Sequence, residues 1–418
     1  MQLPDDFCRQ TQEVMGSERF ERYLKSFEEE VPVSIRLNPK KVAGKGENAD
    51  GDKWTVDGGE PVPWCRHAYY LRKRPNFTFD PLLHAGCYYV QEAASMFLDE
   101  VLRQLAVSHY ISQQPTANSQ QPTALDLCAA PGGKSTLLRA ALPADSVLYS
   151  NEPVRQRASI LLENVQKWGY DRHIVTNSYP RDFRKAKMRF DLILCDVPCS
   201  GEGMFRKDPA TIGEWSLQHV ARCQQLQRDI VSDAWECLNE GGLLIYSTCT
   251  FNIKENEENV RWMLDTFDAQ ALQIDTRPEW HITGSLLPGF AAPVYRFIPG
   301  ITRSEGLFMC VLQKGGLLRA NPKFAPCKLP VSTVQTLPLH ADAPQVELSY
   351  QQALAYLRHE ALTLPADSPR GIVEVCFMGQ SLGLVKNIGT RANNLYPKEW
   401  KIKTTHIPTE YEPILQRI

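Results

Sequence analysis

Between about residues 124 and 314 the chain alternates short, uninterrupted apolar runs with longer segments whose apolar residues recur at helical spacing. The runs at 124–128, 147–151, 173–177, 190–196 and 242–247 are too short for stable helices. Being apolar at successive positions, they read as strands buried on both faces. Helical spacing falls at 134–141, 153–168, 217–238 and 254–266, between those runs. This alternation predicts an α/β domain, a parallel sheet with crossover helices. A last apolar pair, 294–298 and 307–312, predicts an antiparallel hairpin on the sheet edge.

The flanks follow other patterns. An acidic helical stretch at 17–30 precedes an extended run, 33–38, ended by Pro39. The segment 43–59, rich in Gly, Asp and Lys, reads as a surface loop, and 64–70 and 77–79 as short strands or edges. Residues 91–102 have helical spacing and lead into a polar, low-complexity loop at 112–123. Beyond 317 the chain is proline-rich as far as Pro344. A helix at 350–358 and strands at 371–377 and 382–386 are then predicted. The expected division is therefore an α+β region at 1–80, the α/β domain at 81–315, a linker at 316–345 and a second α+β domain at 346–418.

Composition narrows the setting. The 418 residues are 43% hydrophobic and 22% charged, ordinary values for a globular chain. No stretch approaches the roughly 18–20 apolar residues of a membrane span, and no basic-then-apolar leader opens the sequence. The 12 cysteines are scattered without repeated close spacing, which favours a reduced, cytoplasmic setting over a disulfide framework. With no CxxC pair and no Cys/His cluster, no metal is expected. No coiled coil is visible, and the chain is taken to be a monomer. The net charge of −2 decides nothing about nucleic acid, because local patches matter more. Three basic runs stand out: Arg66 with Arg72, Lys73 and Arg74; Arg181 to Arg189; and Lys386 to Lys403, interleaved with Tyr396 and Trp400. Each alone reads as a solvated face.

The chemistry-bearing positions lie just past strand ends, where open parallel sheets collect their sites. The run LDLCAAPGGKST at 125–136 is a strand, a glycine turn and a helix start. Gly132 and Gly133 admit a ligand close to the backbone, and the helix start offers unpaired N–H groups. The turn is not a P-loop, since Cys128 stands where the phosphate cradle needs glycine, and GxGxxG is also absent. The next strand ends in Asn151 and Glu152, an acid suited to two ribose hydroxyls. A glycine turn with an acidic strand end, without pyrophosphate features, points to a nucleoside cofactor such as S-adenosylmethionine.

DVPCSGEG at 196–203 places Cys199 after the fourth strand, and YSTCT at 246–250 places Cys249 after the fifth. A single cysteine ordinarily packs in a core, and a tight turn would account for Pro198, Gly201 and Gly203. Neither explains two thiols at one crevice with Asp196 beside them. That grouping suggests covalent catalysis.

CAAPGGK, NEP, DVPCSGEG followed by RKDP, and YSTCT followed by NEENV together resemble the RNA cytosine-5 methyltransferases of the NOL1/NOP2/Sun family, particularly bacterial enzymes acting on small-subunit ribosomal RNA. The resemblance covers about residues 33–314, including RLNP and QEAASM. The tail, with LGLVKNIGTRANNLYPKEWKIK, resembles the PUA-like extension of that branch. It implies a Rossmann-like methyltransferase domain with RNA-binding flanks. It implies S-adenosylmethionine held by Cys128, Ala129, Ala130, Pro131, Gly132, Gly133, Lys134 and Glu152, with Asp196 able to touch cofactor and base. By the same resemblance Cys249 is the nucleophile and Cys199 releases the enzyme; the residues alone leave that order open. Asn177 stands where the family places an aspartate facing the adenine amino group, and it can accept through its amide oxygen. Lys207 matches a basic position near the site. The partner implied is RNA, from the small ribosomal subunit or its assembling form. Alternatives are a transfer-RNA methyltransferase or a non-catalytic assembly factor.

Overall fold

The computed structural model describes residues 2–42, 54–105, 122–316, 331–332, 343–404 and 406–417. The helices Asp5–Met15 and Ser17–Lys25 are joined at Gly16, whose φ of +76° suits glycine. The first was not expected from the sequence, because its buried stripe of Phe7, Thr11 and Met15 is sparse. Both helices lie against the loops that follow the two candidate cysteines, with Phe7 5.1 Å from Phe205 and 5.4 Å from Trp215, and Tyr23 5.3 Å from Phe251 between ring centroids.

A four-stranded antiparallel sheet follows, built from β1 (Val33–Leu37), β3 (Glu60–Pro61), β4 (Ala68–Leu71) and β5 (Tyr88–Val90) in the order β3-β4-β1-β5. The strand β2 (Trp54–Val56) belongs to neither this sheet nor a loop. Phe77–Phe79, expected as a strand or edge, is a 3-10 turn. Its bonds run locally, from Phe79 N–H to Asn76 and from Asp80 N–H to Phe77, and Asp80 then caps the next helix through Leu82 N–H at 2.9 Å.

The central sheet comprises β6 (Thr123–Asp126), β7 (Val147–Asn151), β8 (His173–Thr176), β9 (Phe190–Asp196), β10 (Leu238–Thr248), β11 (Ala269–Ala271), β12 (Tyr295–Phe297), β13 (Leu307–Lys314) and β14 (Val331–Ser332). Strands β6 to β10 are parallel, in the order β10-β9-β6-β7-β8. The chain steps outward from β6 to β8, then crosses back to β9, so the order reverses between β6 and β9. In such sheets that reversal opens the ligand crevice. The predicted hairpin forms: β13 pairs antiparallel with β10, and its outer edge takes β12 and the unpredicted β11. Successive strand residues enter different cores, Leu192 and Leu194 one, Ile193 and Cys195 the other. Burial on both faces is why the runs read as continuously apolar.

The strands β15 (Gln345–Glu347), β16 (Gly371–Phe377), β17 (Gln380–Asn387) and β18 (Ala392–Asn394) form a third sheet beside the helix Tyr350–Leu357. The strand β19 (Leu415–Arg417) pairs with β2, and one apolar cluster joins Ile35, Leu82 and Tyr88 to Leu354, Val375 and Leu415. Residues 43–53 of the expected surface loop, 112–121 of the low-complexity loop, and 317–330 and 333–342 of the expected linker lie outside the described residues. No described helix is long and apolar enough to cross a membrane.

Candidate active site

The crevice is built from four strand ends. Beyond β6, Ala129 N–H bonds to Asn151 at 2.8 Å, and Gly132 takes φ +118°, a conformation other residues rarely adopt. The helix Gly133–Ala141 begins there. Behind this turn the buried Arg36, from β1, donates to Gly133 O at 3.1 Å, Thr136 Oγ1 at 2.6 Å and Gln91 Oε1 at 2.9 Å, and stacks over Trp168. The RLNP and QEAASM runs therefore brace the glycine turn, a role their sequence did not reveal.

Beyond β7 and β8 stand Glu152 and Asn177. Glu152 is buried; its Oε1 accepts from Val154 N–H at 2.9 Å and its Oε2 lies 3.4 Å from the Arg157 guanidinium. Asn177 donates its amide N–H groups to Glu152 O at 2.7 Å and Pro153 O at 2.9 Å. Its Oδ1 is thereby left to accept from a ligand. Asp126, at the end of β6, is fully buried. It accepts from Ser135, while its Oδ1 has no partner among the described residues. Burial raises its pKa to about 7, which Ser135 partly offsets. Glycine turn, buried acid and free amide oxygen suit a nucleoside cofactor rich in donors, while Asp126 is sealed beneath them.

Asp196 divides the crevice. Its Oδ2 accepts from Lys134 Nζ at 2.9 Å and its Oδ1 from Ser247 Oγ at 2.6 Å. Lys134, expected on the cofactor, thus links the glycine turn to the cysteine side. Burial opposes its charge, but Asp196 and neighbouring Cys249 hold its pKa above the usual lysine value.

The two thiols meet, Cys199 Sγ lying 3.3 Å from Cys249 Sγ. The parallel pairing of β9 with β10, in register from Leu192 with Leu243 to Asp196 with Ser247, brings their loops side by side. Gly203 N–H then donates to Cys249 O at 2.8 Å, and a Cβ on Gly203 would stand 2.5 Å from that oxygen. Among the described cysteines with a shifted pKa, Cys249 alone moves down. The hydrogen bond from Cys199 lowers it, aided by Lys134, against burial, Asp196 and Glu255. Cys199 is pushed well above the usual thiol range by that same bond, by burial and by the Cys249 and Glu255 charges. Of the two thiols, Cys249 is therefore the one whose ionised form the pair favours.

Two buried glutamates line the cysteine loops. Glu202 accepts from Thr250, Phe251, Asn252 and Trp215; Glu255 accepts from Ser200 N–H at 3.0 Å and Gln227 Nε2 at 2.7 Å. Nothing in the sequence marked them beyond the place of Glu202 in GEG and of Glu255 directly before NEENV. Lys207 is exposed directly after Arg206, which pairs with the buried Glu305. No group of acidic, His or Cys side chains able to hold a metal ion occurs among the described residues.

Comparison with known proteins gives a consistent picture. Three family models match: the N-terminal domain of 16S rRNA methyltransferase RsmF over residues 3–93, 16S rRNA methyltransferase RsmB/F over 114–313, and the methyltransferase RsmF PUA domain over 343–402. The ribosomal RNA small subunit methyltransferase F of Shigella flexneri serotype 5b is 31% identical over 350 residues, 80% of this chain and 68% of that relative. That of Pectobacterium atrosepticum is 31% identical over 331 residues, 77% of this chain, and that of Aliivibrio salmonicida 34% identical over 273 residues, 63% of this chain. The chain spans less than two thirds of the length of these last two, 64% and 54%. Among solved structures, a methyltransferase homolog protein from Pyrococcus horikoshii matches with a TM-score of 0.58 and 26% identity, covering 74% of this chain and 95% of that one. NSun6 from Pyrococcus horikoshii with SFG shares the fold, with a TM-score of 0.57 and 19% identity over 74% of this chain and 98% of that one. A methyltransferase domain flanked by matching N-terminal and PUA domains, at this level of identity, means that the chain belongs to the 16S rRNA methyltransferase RsmB/F family.

Proposed function

We propose that this protein methylates C5 of a cytosine in 16S ribosomal RNA, using S-adenosylmethionine and a covalent bond from Cys249 to C6 of the base. The observation carrying this reading is the thiol pair, 3.3 Å apart, with Cys249 alone held low and Asp196 beside it. Cytosine C5 is a poor nucleophile unaided. Addition of the Cys249 thiolate at C6 makes C5 enamine-like, the covalent strategy of splitting one hard step into two. Asp196, protonated as the base binds, accepts from N4–H and gives its proton to N3 as charge builds in the ring, and takes that proton back when the adduct breaks down. Lys134 and Ser247 hold that carboxyl group in place.

The cofactor would lie against residues 128–134, its ribose hydroxyls on Glu152 and its adenine amino group on the Asn177 oxygen. When bound there, it supplies the methyl group. Afterwards Cys199, having lost its own proton to solvent, takes the proton from C5 as a thiolate; the C5–H electrons form the C5=C6 double bond, the C6–sulfur bond breaks, and Cys249 leaves as the thiolate. To reach the thiols the base must leave its stack, so the target is an opened or flexible RNA site. The N-terminal sheet and the PUA domain supply phosphate and shape contacts.

Bisulfite mapping of RNA from cells with and without the gene tests this reading. Loss of 5-methylcytosine from the small-subunit RNA is expected; loss confined to transfer RNA would overturn the substrate while sparing the chemistry. No loss anywhere would favour a non-catalytic assembly factor.

A further inference from the structure

The two cysteine loops leave neighbouring strands, yet near the thiols the backbone joins them only through Val197 N–H to Ser247 O at 3.1 Å and Gly203 N–H to Cys249 O. Side chains supply the rest: Ser200 Oγ reaches Thr250 Oγ1 at 3.3 Å, and Glu202 makes the largest share. Glu202 Oε2 accepts from Thr250 Oγ1 at 2.6 Å, Phe251 N–H at 2.6 Å and Asn252 N–H at 3.1 Å. Its Oε1 accepts from Trp215 Nε1 at 3.0 Å and Asn252 Nδ2 at 2.9 Å. The donors on Oε2 belong to the three residues directly after Cys249, while Glu202 itself lies three residues after Cys199. The Asn252 amide also reaches Glu255 Oε1 at 2.8 Å, and Glu255 receives Ser200 N–H, tying the other side of the same loop.

We infer that Glu202 is a positioning residue that holds the Cys249 loop against the Cys199 loop and so sets the meeting of the two sulfurs. Its carboxylate is saturated with donors and buried, and no bond joins it to either thiol, so it takes no proton in the reaction. It acts through the backbone after Cys249. Without it, three buried donors lose their acceptor and the loop must move to find water. The sulfurs then part, and Cys249 loses the hydrogen bond that favours its thiolate. The charged groups facing Cys249 are Lys134, Asp196 and Glu255, and Cys199 faces Glu255; the charge of Glu202 itself helps to raise Glu255, so Thr250→Val, which leaves every charge in place, separates the position of the loop from that charge. The inference rests on the reading of Cys249 as nucleophile.

The test is the pH dependence of alkylation by iodoacetamide on the full chain, without RNA, with Cys249 and Cys199 resolved by peptide mass spectrometry. Glu202→Gln leaves an oxygen for only one of the two donor sets. We expect Cys249 alkylation at neutral pH to fall about tenfold, its midpoint to rise by about one unit, and the melting temperature and S-adenosylmethionine binding to stay near wild type. A folded variant with an unmoved Cys249 midpoint would overturn the inference, because a general loss of packing lowers the melting point without moving that midpoint. Should Glu202→Gln not fold, Thr250→Val decides. It removes one donor from Oε2, and a smaller shift in the same direction is expected; an unmoved midpoint there is equally fatal. A shifted midpoint in a protein that methylates no RNA would sink the proposed function and leave Glu202 where the inference puts it.

Discussion

The two sides of Asp196 are built on opposite principles. On the cysteine side, polar groups are matched to one another: Glu202 and Glu255 absorb the donors of both loops before any ligand arrives. On the cofactor side, an acceptor is left open: Asn177 turns its N–H groups inward and its oxygen out. A covalent step gains from atoms held in place beforehand, whereas a cradle must leave something for its ligand to satisfy. Rigidity and vacancy are thus divided between the halves of one crevice, with Lys134 bridging them.

The sharpest way to break this comparison is to remove the thiols singly. Cys249→Ala should reduce methyl transfer by about 10⁴-fold or more, as loss of a nucleophile usually does. Cys199→Ala should slow attack, because Cys249 loses its hydrogen bond, and block release, so that an RNA–protein adduct still accumulates on denaturing gels. The reverse pattern would exchange the assigned roles. Next in size is the rigid side's deepest ion pair. Arg296 bonds both oxygens of Glu257 and also donates to Phe251 O at 2.7 Å, with both side chains essentially inaccessible. Arg296→Met leaves Glu257 buried without its cation and should cost about 3–5 kcal/mol, read as a lower melting temperature.

A smaller effect sharpens the open side. Asn177→Asp restores a carboxylate at this position, yet here it would face Glu152 O and Pro153 O, which now receive N–H groups at 2.7 and 2.9 Å. S-adenosylmethionine should therefore bind several-fold more weakly by calorimetry; tighter binding would show that the amide is turned the other way.

The smallest effects are on stability against pH. Ser135 and Ser150 connect Asp126 to His173 beneath the cradle, with Ser150 Oγ 2.8 Å from His173 Nε2. Burial and Arg139 push His173 down to about 3. Its folded value lies below the ordinary histidine value of about 6.5, so its contribution is present above that pH and lost as pH falls towards 3. Asp126, raised to about 7, has the opposite sign: its contribution is present below the ordinary carboxylate value and lost as pH climbs through 7. Melting curves should show His173→Asn flattening the acid limb and Asp126→Asn the limb between about pH 4 and 7. Unchanged slopes would remove these groups from the account.

Strands β6 to β10 were legible because burial on both faces writes itself as an apolar run, and their carboxyl ends located the crevice. What escaped depends on partners remote in sequence. Trp54–Val56 looks like loop because its strand exists only by pairing with Leu415–Arg417. The helix Asp5–Met15 shows few apolar positions because only Phe7 and Met15 are needed to join the cluster around Trp215 and Phe251. Within the site, residue types told where chemistry would collect, but not that Lys134 would turn to Asp196 or that Arg36 would hold the glycine turn from behind. Such bonds follow from distance in space, which a single sequence does not record.

The pairing of β2 with β19 also bears on how the protein is made. The cluster around Ile35, Leu82 and Tyr88 is covered by side chains as late as Leu415, and the Tyr411 hydroxyl bonds Asp80 across 331 positions. At about 5–20 residues per second, the ribosome needs on the order of 20–80 s to go from the first of these surfaces to the last. Throughout that interval the N-terminal sheet carries a bare apolar face. Nascent chains of this protein should therefore be held by chaperones at that face, and a chain interrupted in the PUA domain should be a target for proteolysis although its catalytic sheet is complete.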